Sequence, residues 1–268
     1  MKRLSFLFTL AICCLWFSPN LLAQDDDAGY VVVEYMKVKP GMMDEYLECE
    51  NIWKMIHQER KNAGLITGWE LEQVLYPSGT GTEYDFVTIT HFSSWKAIDD
   101  LNDSWNEATW NKLTQKLSSA QKEMVDKVEM YRELVKREIW TAQDVLEGEG
   151  VATAKYRVEN FMKIPAGGWE DWIEMETRFA KPVHQKSIDM GIRSGWYLTT
   201  MIMPGGEEMA YNASTLDMYN SWEDMNKDEG AAWQAVYPDM SFAHANKRFE
   251  STRTLVRSEV RMLFDYIQ

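Results

Sequence analysis

Cysteine is scarce in this 268-residue chain, and two of its three cysteines, Cys13 and Cys14, fall in one N-terminal apolar run. A single further thiol, Cys49, cannot form an internal disulfide, so the rest of the chain must be held by a packed core. Histidine is nearly as rare, at four, and no His-x-x-x-His or Cys-x-x-Cys spacing occurs, which removes the common zinc signatures. Positive charge is also short: 28 Lys and Arg stand against 42 Asp and Glu, a formal charge of −14. A phosphate-binding face needs the opposite balance, so nucleic acid is not an expected partner. There is no Gly-rich phosphate loop and no serine nucleophile elbow.

The apolar run itself reads as a secretory signal. Lys2 and Arg3 precede Leu4 to Phe17, a polar break follows at Ser18-Pro19-Asn20, and Leu21-Leu22-Ala23 offers cleavage after Ala23. The run is short for a membrane span, and Ile12 is a poor neighbour for lipid attachment at Cys13. The expectation is an exported protein, periplasmic or secreted, with residues 1–23 removed and no stable membrane insertion afterwards. Losing Lys2 and Arg3 and no acid leaves 26 basic against 42 acidic residues, or −16. Asn102-Asp103-Ser104 and Asn212-Ala213-Ser214 are sequons, meaningful only in a eukaryotic host.

What is plentiful is repetition. Met36-Lys37, Gly41, Asp44, Lys54, His57-Gln58, Gly64, Gly68-Trp69, Pro77, Tyr84, Thr88 and Ser94-Trp95 recur as Met162-Lys163, Gly168, Asp171, Lys181, His184-Gln185, Gly191, Gly195-Trp196, Pro204, Tyr211, Thr215 and Ser221-Trp222. From Gly41 to Trp95 each partner lies 127 positions further on, so no gap is needed; later, Arg132, Leu134-Val135 and Glu138 match Arg253, Leu255-Val256 and Glu259 at 121. A repeat of this length is a whole domain.

Each copy carries the same element signals. Val31 to Val38 and Lys155 to Ile164 read as strands closed by turns. Helices follow from about 44 to 63 and 171 to 190, stopped by Gly64 and Gly191, with Pro182 expected to kink the second. Two hairpins flank Pro77 to Gly81 and Pro204 to Gly206, long helical regions open at Ser94 and Ser221, and last strands run from 131 to 140 and 253 to 261. The order is β-α-β-β-α-β twice, the ferredoxin-like arrangement. The expected class is α+β, with modules at 24–142 and 151–268, a linker at 143–150, and the two sheets packed face to face as a pseudo-dimeric barrel. Such a fused pseudo-dimer is self-contained, and a higher oligomer stays open.

Asn160-x-Met162-x-Ile164-Pro165, the Gly-Trp entering each hairpin, and Phe92-Ser93-Ser94-Trp95 or Tyr219-Asn220-Ser221-Trp222 resemble the dimeric α+β barrel superfamily. It takes in antibiotic-biosynthesis-type monooxygenases, heme-degrading enzymes and the EthD and NIPSNAP families. The resemblance covers nearly all of the chain past residue 23 and implies a fold more than a chemistry. In the heme-degrading branch an asparagine lies seven residues before the turn glycine, as Asn160 does before Gly167 and Glu34 before Gly41. The tryptophan and histidine that those enzymes need in the second helix are replaced here by Asn102 and Lys112, and by Glu229 and Asp239. No cofactor or metal is therefore expected, heme being the one alternative.

Chemistry concentrates on Lys54-x-x-His57-Gln58 and Lys181-x-x-His184-Gln185, whose spacing puts lysine and histidine on one helix face. His57 and His184 are candidate acid/base residues beside the inward stripe, with Glu34 and Asn160 as positioning groups on the first strands. The commoner role for such a histidine is a buried side chain bonded to backbone. Lys54, Lys181, Glu50, Trp69 and Trp196 are candidate ligand contacts, with Glu50 set against Thr177 as a difference between the copies. Twelve tryptophans can line an aromatic pocket or simply fill the core. Arg157, Glu159, Lys37 and Lys163 point to the other strand face, where charge pairs would join the halves. The expected function is binding of a small hydrophobic or aromatic molecule, either with cofactor-independent monooxygenase-like or isomerase-like turnover or as a non-catalytic ligand-binding or envelope protein.

Overall fold

The computed structural model describes residues 29–103 and 106–268. The signal segment 1–23 and Ser104 of the first sequon lie outside the described residues. Among the described residues no helix is long and apolar enough to cross a membrane.

Alternating apolar residues in Tyr30–Val38 (β1) send Val33 and Tyr35 to one face and Met36 and Val38 to the other. The chain continues through a helix, Met43–Asn62 (α1), and the strands Gly68–Tyr76 (β2) and Phe86–Phe92 (β3). Three short helices follow, Trp95–Asp103 (α2), Glu107–Leu113 (α3) and Ser119–Asp126 (α4), before the long strand Arg132–Glu147 (β4). The second half repeats this plan with Tyr156–Lys163 (β5), Trp169–Glu174 (α5), a π-helical stretch Met175–Ala180, and Lys181–Asp189 (α6). It closes with Gly195–Met203 (β6), Ala213–Tyr219 (β7), Glu229–Val236 (α7), Phe242–Thr252 (α8) and Thr254–Ile267 (β8). The long second helices expected from sequence are thus broken into short pieces. Ser94 does cap, accepting from Ala97 N at 3.2 Å, whereas Ser221 accepts from Asp224 N in a turn that leads only to a 3-10 segment.

The strands form one closed eight-stranded barrel, β1-β3-β2-β8-β5-β7-β6-β4, every pair antiparallel. Within each half the order is fourth, first, third, second. The halves meet edge to edge rather than as separate stacked sheets: β4 pairs with β1 and then runs on beside β6, and β8 does the same with β5 and β2. Residues 143–147, expected as linker, are therefore the outer part of β4, whose unpaired groups would otherwise be a sheet edge. The Gly-Trp repeat has its cause at these seams. A Cβ on Gly68 would stand 3.1 Å from the Ile267 carbonyl, and one on Gly195 3.2 Å from that of Leu146. A side chain at either place would push the neighbouring strand back by a few tenths of an ångström, which glycine avoids.

The barrel interior holds Val33, Tyr35, Val87, Ile89, Trp140, Phe161 and Tyr211 together with a belt of charge. Arg157 pairs with Glu70 and Glu72, and Arg261 reaches Glu159 at 2.6 Å, Glu259 at 2.9 Å and Glu72 at 3.4 Å. The pairs of Arg157 with Glu70 and Glu72, and of Arg261 with Glu72, cross between the halves, as expected for Arg157, whereas Glu159 pairs within its own half, with Arg261 and Ser214. Lys37 and Lys163 do not: they bond locally, to Asp85 at 3.0 Å and to the Met209 carbonyl at 2.7 Å.

Candidate functional site

The helices cover the outer sheet face, and in each half a cavity opens between them and the strands. Its floor begins on the first strand, where Glu34 and Asn160 interrupt the apolar helix-side row, as expected. The roof depends on helix register, and there the two halves differ by one residue. Gly41 and Gly167 share a left-handed backbone (φ 80° and 78°), Tyr46 and Trp172 are both fully buried, and Glu50 and Glu176 both face an arginine. All three pairs lie 126 apart; Lys54 and Lys181, and His57 and His184, lie 127 apart. The extra residue sits in the π-helical stretch 175–180. Pro182 has no N–H and its ring would strike the carbonyl four residues back, so a widened turn just ahead of it absorbs the insertion instead of a kink. The counterpart of Glu50 is thus Glu176, not Thr177, whose hydroxyl merely caps the Ile173 carbonyl at 2.7 Å.

Both histidines sit in the same frame. The His184 ring stacks on Trp196 with centroids 4.7 Å apart and planes at 17°; His57 stacks on Trp69 at 5.2 Å and 16°. Arg193 Nη1 lies 2.7 Å from His184 Nδ1, and Arg60 Nη1 lies 3.3 Å from His57 Nδ1. A guanidinium only donates, so Nδ1 accepts and the ring proton stays on Nε2. Burial first, and the adjacent arginine next, hold both histidines well below their ordinary pKa. Each is a neutral imidazole presenting an N–H, suited to donate a hydrogen bond and ill-suited to act as a base. The arginines come from unrelated positions: Arg60 from α1, Arg193 from the turn before β6.

The titrating group near neutrality is the glutamate. Burial pushes Glu176 up to about 7, Asp217 adds to this, and Arg253, 3.2 Å away, pulls the other way. Glu50 is likewise pushed up to about 7 by burial against the pull of Arg132 at 3.5 Å. A carboxyl balanced there can both take and return a proton.

The two cavities differ in size and lining. The second is about 580 Å³ and is lined by Asn160, Glu176, His184, Thr215, Asp217 and Arg253, with Val183, Trp233, Phe249 and Leu255 supplying apolar surface. The first is about 210 Å³. Trp53 lines it where the second half has Ala180, and Arg137 closes on Glu34 across its mouth. Asn160 is fully engaged: it donates to Asp217 at 3.1 Å and Thr215 at 3.3 Å and accepts from Ser258 at 2.7 Å.

Of the residues expected from sequence, Glu34, Glu50, His57 and Trp69 converge in one cavity and Asn160 and His184 in the other, with Trp196 behind its histidine. Lys54 and Lys181 do not join them. They leave the helices outward to Asp265 and Asp144, equivalent places on β8 and β4, and fasten each helix to the other half's strand. Glu50 pairs with Arg132 rather than Lys54. Trp95 and Trp222 are half exposed and meet Tyr30 and Tyr156 edge to face, away from both cavities. Glu176, Arg193 and Asp217 escaped sequence reasoning, while Arg132 and Arg253 carried a signal in the late repeat. As an axial heme ligand neither histidine fits, because the Nδ1 lone pair is committed to an arginine and Nε2 holds the proton. Among the described residues no three His, Cys, Asp or Glu side chains converge as metal ligands.

No family model matches the chain, and no curated protein matches its sequence. Solved structures match in fold. A candidate monooxygenase from Fusobacterium nucleatum superposes with a TM-score of 0.50 over 89% of this chain and 94% of its own, at 8% identity. A variant chlorite dismutase from Candidatus Nitrospira defluvii, in complex with cyanide, gives 0.50 over 88% and 91%, at 9% identity. Likeness at such identity speaks for architecture alone. The chain is an α+β protein whose closed eight-stranded barrel shares its architecture with these two solved structures.

Proposed function

We propose that this chain binds a small hydrophobic or aromatic molecule in the second cavity and moves a proton on it. It is an isomerase-like or cofactor-independent monooxygenase-like barrel of two fused ferredoxin-like modules, exported behind residues 1–23. The observation that carries this reading is the pairing, in one cavity, of a carboxyl at about pH 7 with a neutral imidazole N–H. Glu176 in its ionised form takes a proton from a carbon or hydroxyl acid of the substrate. His184 Nε2–H donates to the substrate oxygen where the negative charge gathers. Return of the proton from Glu176 to another substrate atom completes an isomerisation. In the oxygenase form dioxygen is the second substrate: a substrate CH2 group is oxidised to a carbonyl with one oxygen atom, and its two hydrogens leave with the other as water. Arg193 fixes the imidazole tautomer, Asn160 holds Asp217 in place, and Trp233, Phe249 and Leu255 exclude water.

Native mass spectrometry of protein purified from its own host identifies the retained molecule. Deuterium exchange into that molecule, followed by NMR, then reads the proton transfer. Glu176→Gln should slow exchange at least about a hundredfold while the molecule still co-purifies; unchanged exchange removes Glu176 from the chemistry. A Soret shift on heme titration would point instead to a non-catalytic heme-binding protein. N-terminal sequencing of the exported protein checks cleavage after Ala23.

A further inference from the structure

The cavity inside the barrel lies on the other sheet face from both histidine sites. We infer that it is a separate binding site for an uncharged, one-ring compound bearing a carbonyl-type acceptor, anchored by Arg157. This cavity measures about 240 Å³ and is reached past Gly29, Thr67 and Ala152, which are exposed at one barrel end. Val33, Ile89, Trp140, Leu216 and Met218 supply apolar wall. The size exceeds the ~150 Å³ that accommodates a benzene ring and falls below the ~300 Å³ at which drug-sized pockets begin. One ring and a small head group fit.

The polar end decides what that head group is. Carboxylates of Glu70, Glu72 and Glu159 face the guanidinia of Arg157 and Arg261. Arg157 holds one oxygen of Glu70, while His91 Nε2 stands 3.4 Å from the other without a hydrogen bond; Arg157 and Arg261 hold the two of Glu72, and Ser214 and Arg261 the two of Glu159. A ligand cation would find five of the six carboxylate oxygens already held by a donor. A ligand anion would add to three carboxylates that already outnumber the two guanidinia. Two nitrogens here lack a hydrogen-bond partner among the described residues, His91 Nε2 and Arg157 Nε, and only the guanidinium nitrogen is a fixed donor. Arg157 is 3% exposed, spends its carboxylate contacts through Nη1, and its Nε finds no acceptor among the described residues. A buried N–H without a partner is costly, and a neutral carbonyl oxygen answers it without disturbing the charge balance.

Acetophenone is a suitable probe, with toluene, benzoate and benzylammonium as comparisons, and calorimetry or ligand-observed NMR as readout. Acetophenone should bind saturably, and toluene tenfold or more weakly, the loss of one charge-assisted hydrogen bond. Both charged probes should bind more weakly than acetophenone. Arg157→Lys keeps the positive charge between Glu70 and Glu72 but loses Nε, and should weaken acetophenone tenfold or more. Val33→Phe fills the cavity without touching the charges and should abolish binding even if the lysine variant fails to fold. Leu255→Trp, which narrows the outer cavity instead, should leave the affinity unchanged. The inference is overturned if no probe binds saturably, if toluene equals acetophenone, if either charged probe binds more tightly, or if Leu255→Trp rather than Val33→Phe removes binding.

Discussion

The dependence of stability on pH offers a direct reading of Glu176, provided wild type is compared with Glu176→Gln. In the folded protein this carboxyl is 2% exposed and lifted from an ordinary 4.5 to about 7. The native state thus holds a proton between those values that the unfolded chain has released, and stability falls as pH rises through that window. The slope is about 1.4 kcal/mol per pH unit, and across the whole window the group costs about 3 kcal/mol. His57 and His184 act in the opposite sense. Their folded pKa is depressed, so the unfolded chain binds protons below about 6.5 that the native state refuses, and stability falls toward acid. The wild-type curve alone therefore mixes opposed slopes, while the difference between the two proteins isolates the carboxyl. Glutamine mimics the protonated acid. Urea unfolding from pH 4.5 to 8.5 should show Glu176→Gln gaining about 3 kcal/mol relative to wild type as pH rises. The same gain appears as roughly 6–12 °C in melting temperature for a chain of this size. A difference that is flat between pH 5 and 7, or that runs the other way, would falsify the assignment of Glu176 as the group poised near neutrality.

Other consequences can be checked on the same protein. Arg261 is enclosed by Glu72, Glu159 and Glu259, so Arg261→Met leaves buried carboxylates without their cation and should cost about 3–5 kcal/mol by chemical denaturation. Lys54→Ala and Lys181→Ala remove only half-exposed ion pairs with Asp265 and Asp144; each should change stability by less than about 1 kcal/mol and leave ligand retention unaltered in native mass spectra. Cys49 is buried and its thiol is pushed up to about 12, so a maleimide should label it only after unfolding.

The barrel was legible in the sequence because its determinants are local and occur twice. Alternation along β1 and β5, left-handed glycines after the helices, and the Gly-Trp pairs all mark backbone geometry that each half must satisfy by itself. The seam was not legible. Asp144 to Glu147 look like linker because they open an acidic, glycine-containing stretch that runs to Gly150, yet they pair with β6, and the partner that makes them a strand lies about fifty residues further on. Electrostatic roles were legible only where both halves use the same position. Arg132 and Arg253 recur, so the repeat exposes them; Arg60 and Arg193 serve equivalent histidines from places with no sequence correspondence, so nothing in the repeat could pair them.

The comparison of the halves turns on the π-helical stretch. Aligned without a gap, Glu50 faces Thr177 and the halves look chemically unequal at the one position where a carboxylate matters. Shifted by the residue that Pro182 forces into the wide turn, both halves keep the same set: a buried glutamate near pH 7, an arginine at the start of the last strand opposite it, and a neutral histidine on a tryptophan. What separates them is then space. Trp53 fills the region that Ala180 leaves open, and Glu34 draws Arg137 across a mouth that Asn160, turned toward Asp217 and Ser258, leaves unobstructed. Trp53→Ala tests this directly. If the first cavity is a closed copy of the second, removing the indole should let it retain the molecule that the second cavity holds, doubling the stoichiometry in native mass spectra. A stoichiometry that stays at one in a folded Trp53→Ala protein would show that the Glu34–Arg137 closure, not the tryptophan, sets the difference.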